Sequence, residues 1–433
     1  MMPVKERFDY YNTGIFILLM ASLASLAFSN RIVNSISTIT LAVIIFLHAE
    51  RMSLFKQAFK DRYFISCLCF LLINMAGLLY TNDSNQNLKE FSIKAGIVAI
   101  PFFFCANSCR IGANLRHLMI AFTLCLLATT LYCIFHAFTI YRQHGDSSVF
   151  FYHTLLSPFN EHAVYYSFYL LFCIIYWMEE GMATFKRLQK KIFVVSVLVY
   201  FFLVIILLSS KIVLGILSVY ILYFILSRLI HKQNKKILLP VVAGLGIIVA
   251  ILVATNNPVK KRFSDITNGT TTLFQQQKFN AGVYFNGLQF RLLTWRFTSE
   301  ILNEQEAWLL GVSAGDGQAF LRKKYIETNM YTGDGSNSGG YLLYNCHNIY
   351  LQTTLESGII GLISLLFIIA SFLFKLIKSK RKTTLIFFLC MLVFGFTESY
   401  LSRQFGIVLF TFLPLLALSA ANPPETLLKE KVT

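Results

Sequence analysis

Residues 347–382 read HNIYLQTTLESGIIGLISLLFIIASFLFKLIKSKRK. The first third is polar: Asn348, Gln352 and Glu356 recur every fourth residue, so on a helix they share one face. From Ser357 to Phe374 no residue is charged, and the run then closes with Lys375, Lys378, Lys380, Arg381 and Lys382. An uncharged apolar run of roughly 20 residues with a basic cluster at one end is the pattern of a membrane-spanning helix whose basic end faces the cytoplasm.

The same pattern recurs along the chain. Apolar runs lie at about 12–28, 32–47, 63–80, 91–106, 118–138, 162–178, 192–208, 212–227, 237–254, 348–374, 383–397 and 405–420. The pair 192–208 and 212–227 also reads as one helix interrupted at Ser209-Ser210-Lys211. The composition agrees with many spans: 56% of the 433 residues are hydrophobic and only 14% charged, whereas soluble domains carry about 25% charged residues. Disorder is excluded by the same figures. The net charge of +17 does not indicate nucleic-acid binding. The Lys and Arg residues sit in short clusters between apolar runs, not on one face of a domain. Cys67, Cys69, Cys105, Cys125, Cys133, Cys173 and Cys390 lie in or beside apolar runs, where Cys acts as a small hydrophobe and not as part of a disulfide framework. No cleavable signal peptide is evident.

The expected fold is an all-α polytopic integral membrane protein with about twelve transmembrane helices. Both termini are then cytoplasmic. Clusters such as Lys56-Lys60-Arg62, Lys186-Arg187-Lys190-Lys191 and Lys375–Lys382 fall on the inner side, and the short outer loops keep only Arg31, Lys89, Arg142, Lys211 and Arg403. Residues 1–254 make nine helices and 348–433 make three more with a short cytoplasmic tail. Residues 255–347 make one large outer loop. That loop is polar, with Asn268-Gly269-Thr270-Thr271-Thr272 and Gln275-Gln276-Gln277, and long loops of this kind are usually functional or disordered. Within it, 288–306 has helical spacing with Leu288, Leu292, Trp295 and Ser299 on one side. The run Gly333–Gly340 is flexible by composition.

Polar and ionisable groups at membrane depth are expensive, so the stripe Asn348, Gln352, Glu356 reads either as a structural seam between helices or as a water-filled site headed by His347. His347 is the one group near that face that titrates near neutrality. Arg291, Arg403 and Lys211 are basic residues on a face where such residues are scarce, and Arg403 could equally pair with Glu398. His162, with Tyr165, Tyr166 and Tyr169, reads as a site edge or as an interfacial aromatic belt. Gly311-Val312-Ser313-Ala314-Gly315 is a literal G-x-S-x-G followed by Asp334 and His347. A loop of this size has no room for the parallel sheet a hydrolase needs, so that motif is set aside. No metal-ligand spacing occurs.

The pattern H-N-x-Y-L-Q-x-x-x-E-x-G-x-x-G after a large outer loop resembles the bacterial O-antigen ligase and polymerase superfamily. The resemblance extends to Arg291 and Trp295, to Leu309-Leu310-Gly311-Val312-Ser313-Ala314-Gly315, and to Glu398 with Arg403-Gln404-Phe405-Gly406. It covers about 200–406, with a His-x-x-Tyr element at His162. Where the family commonly has Ser-Arg, this chain has Ser210-Lys211, which keeps the charge but loses the bidentate fork. The ligase branch is the more similar. The resemblance implies a GT-C-like glycosyltransferase without cofactor or metal. Its donor is an undecaprenyl-diphosphate-linked glycan, and its acceptor a hydroxyl of the lipid A core or of another glycan. It works among membrane lipids at the periplasmic face of the inner membrane. His347 would be the catalytic base, with Arg291, Arg403 and Lys211 on the diphosphate and Asn348, Gln352, Glu356, Glu398 and His162 in support. The alternatives are a polysaccharide polymerase of the same superfamily, protein-directed oligosaccharide transfer and, from another class, a polysaccharide transporter.

Overall fold

The computed structural model describes residues 4–48, 50–230, 276–333 and 340–419. Among these the chain is helical, without strands. It divides into two compact units, residues 1–123 with 270–433, and residues 124–269. This division follows packing, whereas the one read from sequence sorts segments by their place relative to a membrane.

The first unit holds Val4–Ala27, Arg31–Val43, Arg51–Lys60, Arg62–Ala76, Ser84–Lys94 and Gly96–Ile111 from the N-terminal part. It adds Gly287–Glu304, Gly317–Glu327, Ile349–Ser379, Lys382–Phe394 and Gln404–Leu418 from the C-terminal part. Short polar side chains start these helices by satisfying the first free N–H groups. Asp61 accepts from the amides of Tyr63 and Phe64, Asp83 from Gln86, and Asn30 from Val33. The second unit is built around Ala163–Glu179, buried along nearly its whole length, with Leu188–Leu208 and Lys211–Ile230 against it. Ser209 adopts a left-handed conformation (φ 48°) that ends one helix before Lys211 begins the next, so the interrupted-helix reading gives way to two helices.

Every apolar run that falls among the described residues coincides with a helix; the run 237–254 lies outside them. Among the described residues, five helices are long and apolar enough to cross a membrane, or six if the bent pair Arg31–Leu47 and Arg51–Lys60 is one span.

The large loop is folded over its described part. Asn286 and Gln289 form a reciprocal capping box at the start of Gly287–Glu304. Phe290, Leu293, Phe297 and Ile301 face inward and join Phe279, Phe285, Val312, Leu321, Tyr325 and Met330 in one apolar core. The helix lies where the sequence spacing puts it, but its buried face is not the one carrying Leu288, Leu292, Trp295 and Ser299. Those four are partly or largely exposed. Residues 334–339 of the glycine-rich run lie outside the described residues.

The longest helix, Ile349–Ser379, is broken at Gly358 (φ 63°, ψ −163°). The turn after Gly287–Glu304 enters the break. The Ile359 amide donates to the Trp308 carbonyl at 2.8 Å and that of Ile360 to Leu309 at 3.3 Å, while the Val312 amide donates to the Leu355 carbonyl at 2.8 Å. Backbone groups released by the break are thus paired again. A Cβ on Gly358 would sit 2.1 Å from the Leu309 oxygen, so glycine is required by both conformation and contact.

Candidate functional site

Three segments of the first unit converge around His347. Asn348 caps the long helix, its Oδ1 accepting from the amides of Tyr350 and Leu351. It is therefore the start of the helix and not a member of the polar face that Gln352 and Glu356 form. The Asn348 amide donates to Ser399 Oγ at 3.0 Å and the Ile349 amide to the Gly395 carbonyl at 2.8 Å. These two bonds staple residues 395–399 to the first helical turn and bring Glu398 to His347.

His347 precedes the helix in a left-handed conformation (φ 46°). That region is uncommon for residues other than glycine, and such strain clusters at functional positions. Its amide donates to Asn345 Oδ1 at 3.1 Å. Its Nδ1 lies 3.3 Å from Glu398 Oε2, and its ring packs edge-on against Phe290 and beside Tyr344. Among the described residues its Nε2 has no hydrogen-bond partner, and the side chain is 14% exposed. A carboxylate on Nδ1 favours the tautomer with the proton there and leaves Nε2 a bare acceptor.

Glu398 is 5% exposed. Its other oxygen, Oε1, accepts from Arg291 Nη2 at 3.0 Å. Arg291 also donates through Nε to the Thr397 carbonyl at 2.8 Å and through Nη1 to the Gly287 carbonyl at 2.9 Å. A guanidinium has five N–H groups, so two remain for a further acceptor. Arg403 is exposed and precedes the last helix in extended conformation. The next residue, Gln404, donates to the Arg31 carbonyl, Asn34 Oδ1 and Ser35 Oγ.

Below His347 the stripe continues inward. Gln352 Oε1 accepts from the Cys346 amide at 3.1 Å, and its Nε2 donates to Glu356 Oε1 at 2.6 Å. Glu356 Oε2 is paired with Lys94, which also donates to Asn74 Oδ1 at 2.8 Å. Lys94 was the residue the sequence did not assign to the site. As a charge inside the apolar run 91–106 it carried a signal, the need of such a charge for a partner, but nothing local named Glu356. Glu90, one turn before Lys94, is raised to about 7 by burial and by the charge of Glu356, against the opposing pull of Lys94. Burial also pushes the Cys346 thiol up to about 12.

Lys211 and His162 belong to the second unit. Lys211 is the first residue of its helix, where the amide dipoles favour an anion, and the hydroxyl of Ser210 just before it is buried with no hydrogen bond among the described residues. His162 precedes Ala163–Glu179, its ring edge-on to His153 and Tyr165. Tyr165, Tyr166 and Tyr169 are buried within that unit, which does not fit a belt facing lipid. Ser313 is also buried, with Oγ 2.9 Å from Thr81 Oγ1 and 3.2 Å from Asp316 Oδ2. No Ser–His pair forms, and the G-x-S-x-G residues instead make the glycine turn that enters the helix break. No three His, Cys, Asp or Glu side chains gather as a metal site among the described residues.

Residues 195–366 match the family model described as O-antigen ligase. The match contains Arg291, the glycine turn, His347 and the whole polar stripe, and it supports the likeness of this part of the chain to the O-antigen ligase and polymerase superfamily. At the level of the family it supports an O-antigen ligase-like, glycosyltransferase-type enzyme in a multi-pass membrane protein. No curated protein matches the chain.

Proposed function

We propose that the chain is a glycan ligase of about twelve spans in the bacterial inner membrane. Both termini are cytoplasmic, and the His347 face is periplasmic. It moves a saccharide from an undecaprenyl-diphosphate-linked donor to a hydroxyl of the lipid A core. The observation that carries this reading is the arrangement of His347 between Glu398 and an open Nε2. In the reaction the acceptor oxygen forms a bond to the anomeric carbon, and the bond from that carbon to the diphosphate oxygen breaks. The hydroxyl proton passes to His347 Nε2, and the imidazolium that forms is stabilised by Glu398. The leaving group is undecaprenyl diphosphate, whose negative charge needs cations. Arg291 offers its two remaining N–H groups, and Arg403 is exposed at the start of the last helix. In the second unit, Lys211 and the Ser210 hydroxyl at a helix N-terminus have the chemistry for a phosphate oxygen. The transfer needs no metal on this reading, and retained activity in chelator would support that.

The test is a product assay on the purified protein in nanodiscs, given a native lipid-diphosphate oligosaccharide with and without lipid A core. Glycan on the core, formed only when the core is present and lost in His347→Ala, is the expected result. Full transfer by His347→Ala would overturn the base assignment. A ladder of longer lipid-diphosphate glycans without the core would identify a polymerase of the same superfamily instead.

A further inference from the structure

The buried ion pair Lys94–Glu356 lies away from the groups assigned to the reaction, yet an unbroken chain of hydrogen bonds joins it to the residue before His347. We propose that Lys94 is a positioning residue for His347, acting through Glu356, Gln352 and the Cys346 amide. This rests on His347 being the base.

The direction of each bond makes the argument. The Cys346 amide can only donate, so the Gln352 oxygen must face it, at 3.1 Å. That leaves the Gln352 nitrogen to donate in turn, and its partner at 2.6 Å is Glu356 Oε1. Glu356 must therefore present an acceptor there. Lys94 donates to its other oxygen, which holds the carboxyl group with Oε1 toward Gln352. Lys94 and Glu356 are 2% and 4% exposed, so neither can turn to water for compensation. The polar and titratable groups around the pair are few. Glu90 and Lys89 come from the helix that carries Lys94, and Asn74 from Arg62–Ala76. Glu90 Oε2 is itself buried without a hydrogen-bond partner among the described residues. At the far end, the Cys346 amide is fixed one residue before the left-handed His347, whose Nδ1 reaches Glu398 at 3.3 Å. If Gln352 turned, the Cys346 amide would lose its acceptor, and the segment holding His347 in its strained conformation would lose a constraint.

The experiment measures initial transfer rates per folded molecule from pH 5.5 to 9 on the full chain in nanodiscs. It compares wild type, His347→Ala, Lys94→Met, Lys94→Met with Glu356→Gln, and Gln352→Met. Lys94→Met is expected to lower kcat roughly tenfold to a hundredfold, with donor KM little changed and the acidic limb of the pH profile displaced. The double variant removes both charges and still offers Gln352 an amide oxygen, with Asn74 Oδ1 beside the released position to take the new amide N–H. It should recover most of the rate and the wild-type pH profile. Gln352→Met keeps the ion pair but breaks the chain, and should lose rate as Lys94→Met does. It also serves as the reading should Lys94→Met fail to fold.

An inactive His347→Ala beside a Lys94→Met or Gln352→Met of wild-type kcat and pH profile would overturn this inference alone. So would a Lys94→Met that loses only yield and melting temperature. Activity in His347→Ala would instead overturn the proposed function on which it rests.

Discussion

Replacing Glu398 by Gln tests the centre of the site with almost no change of shape. The carboxylate accepts from Arg291 Nη2 at 3.0 Å through one oxygen and from His347 Nδ1 at 3.3 Å through the other. An amide has one acceptor and one donor end. The fixed positive charge of Arg291, held also by the Thr397 and Gly287 carbonyls, will take the oxygen. The amide nitrogen then faces His347 Nδ1 and forces the imidazole into the tautomer with its proton on Nε2. The base is lost, and so is the carboxylate that stabilises the imidazolium. A charge-assisted hydrogen bond contributes about 1.5–3 kcal/mol, which corresponds to roughly tenfold to 150-fold in rate. The loss should fall on kcat and leave donor KM largely unchanged, because the donor does not bind through Glu398. Steady-state transfer in nanodiscs, with circular dichroism to establish the fold, measures it. A Glu398→Gln protein with kcat within about twofold of wild type at every pH would refute the argument that Glu398 selects the His347 tautomer.

Three further outcomes follow from other parts of the first unit. Gly358→Ala places a Cβ 2.1 Å from the Leu309 oxygen at a φ of 63°, so the expected result is loss of monodisperse protein on size exclusion, beyond the ~1–3 kcal/mol of backbone strain alone; a well-behaved variant would show that the break does not need glycine. Glu90 binds its proton more tightly folded than unfolded, since its pKa rises from 4.5 to about 7. Its contribution is therefore lost as pH climbs through that window, by about 3 kcal/mol at most. Glu90→Gln should melt with wild type near pH 4.5 and above it at pH 8, and equal melting at both would contradict the shift. Cys346, with its thiol pushed up to about 12 and its Sγ beside Thr298 Oγ1, should resist N-ethylmaleimide at pH 8 until the protein is unfolded, as read by peptide mass mapping.

The sequence was most readable where structure is local. The apolar runs among the described residues became helices, and Gln352 and Glu356 share a face as their spacing requires, while Asn348, read as a third member of that face, caps the helix. It was least readable where the partner is distant in the chain. Lys94 and Glu356 are 262 positions apart, and His347 and Glu398 are 51 apart, so no periodicity could join them. Glu398 was visible as an acid before the last of the described helices, and a pair with Arg403 was one reading of it; the structure also brings Arg291 and His347 to it, from far along the chain. The left-handed backbone of His347 was not read from the sequence either, because histidine visits that region too seldom to announce it. Helical spacing put Leu288, Leu292, Trp295 and Ser299 on one side of Gly287–Glu304, but which face turns inward is decided by Phe279, Phe285, Tyr325 and the other distant residues of the core.

The docking of the glycine turn into the Gly358 break bears on how the chain is made. The loop core takes Cys346 and Leu355 from the far side of the loop, and the turn at 308–312 finds its backbone partners only at residues 355–360. During synthesis residues 276–333 therefore emerge before the surface that completes them exists. The core of residues 276–333 stays incomplete until residues 346–360 have followed. Closure of that core and formation of the broken helix are in this way a single event, and a chain that misplaces the helix leaves the backbone of the turn unpaired.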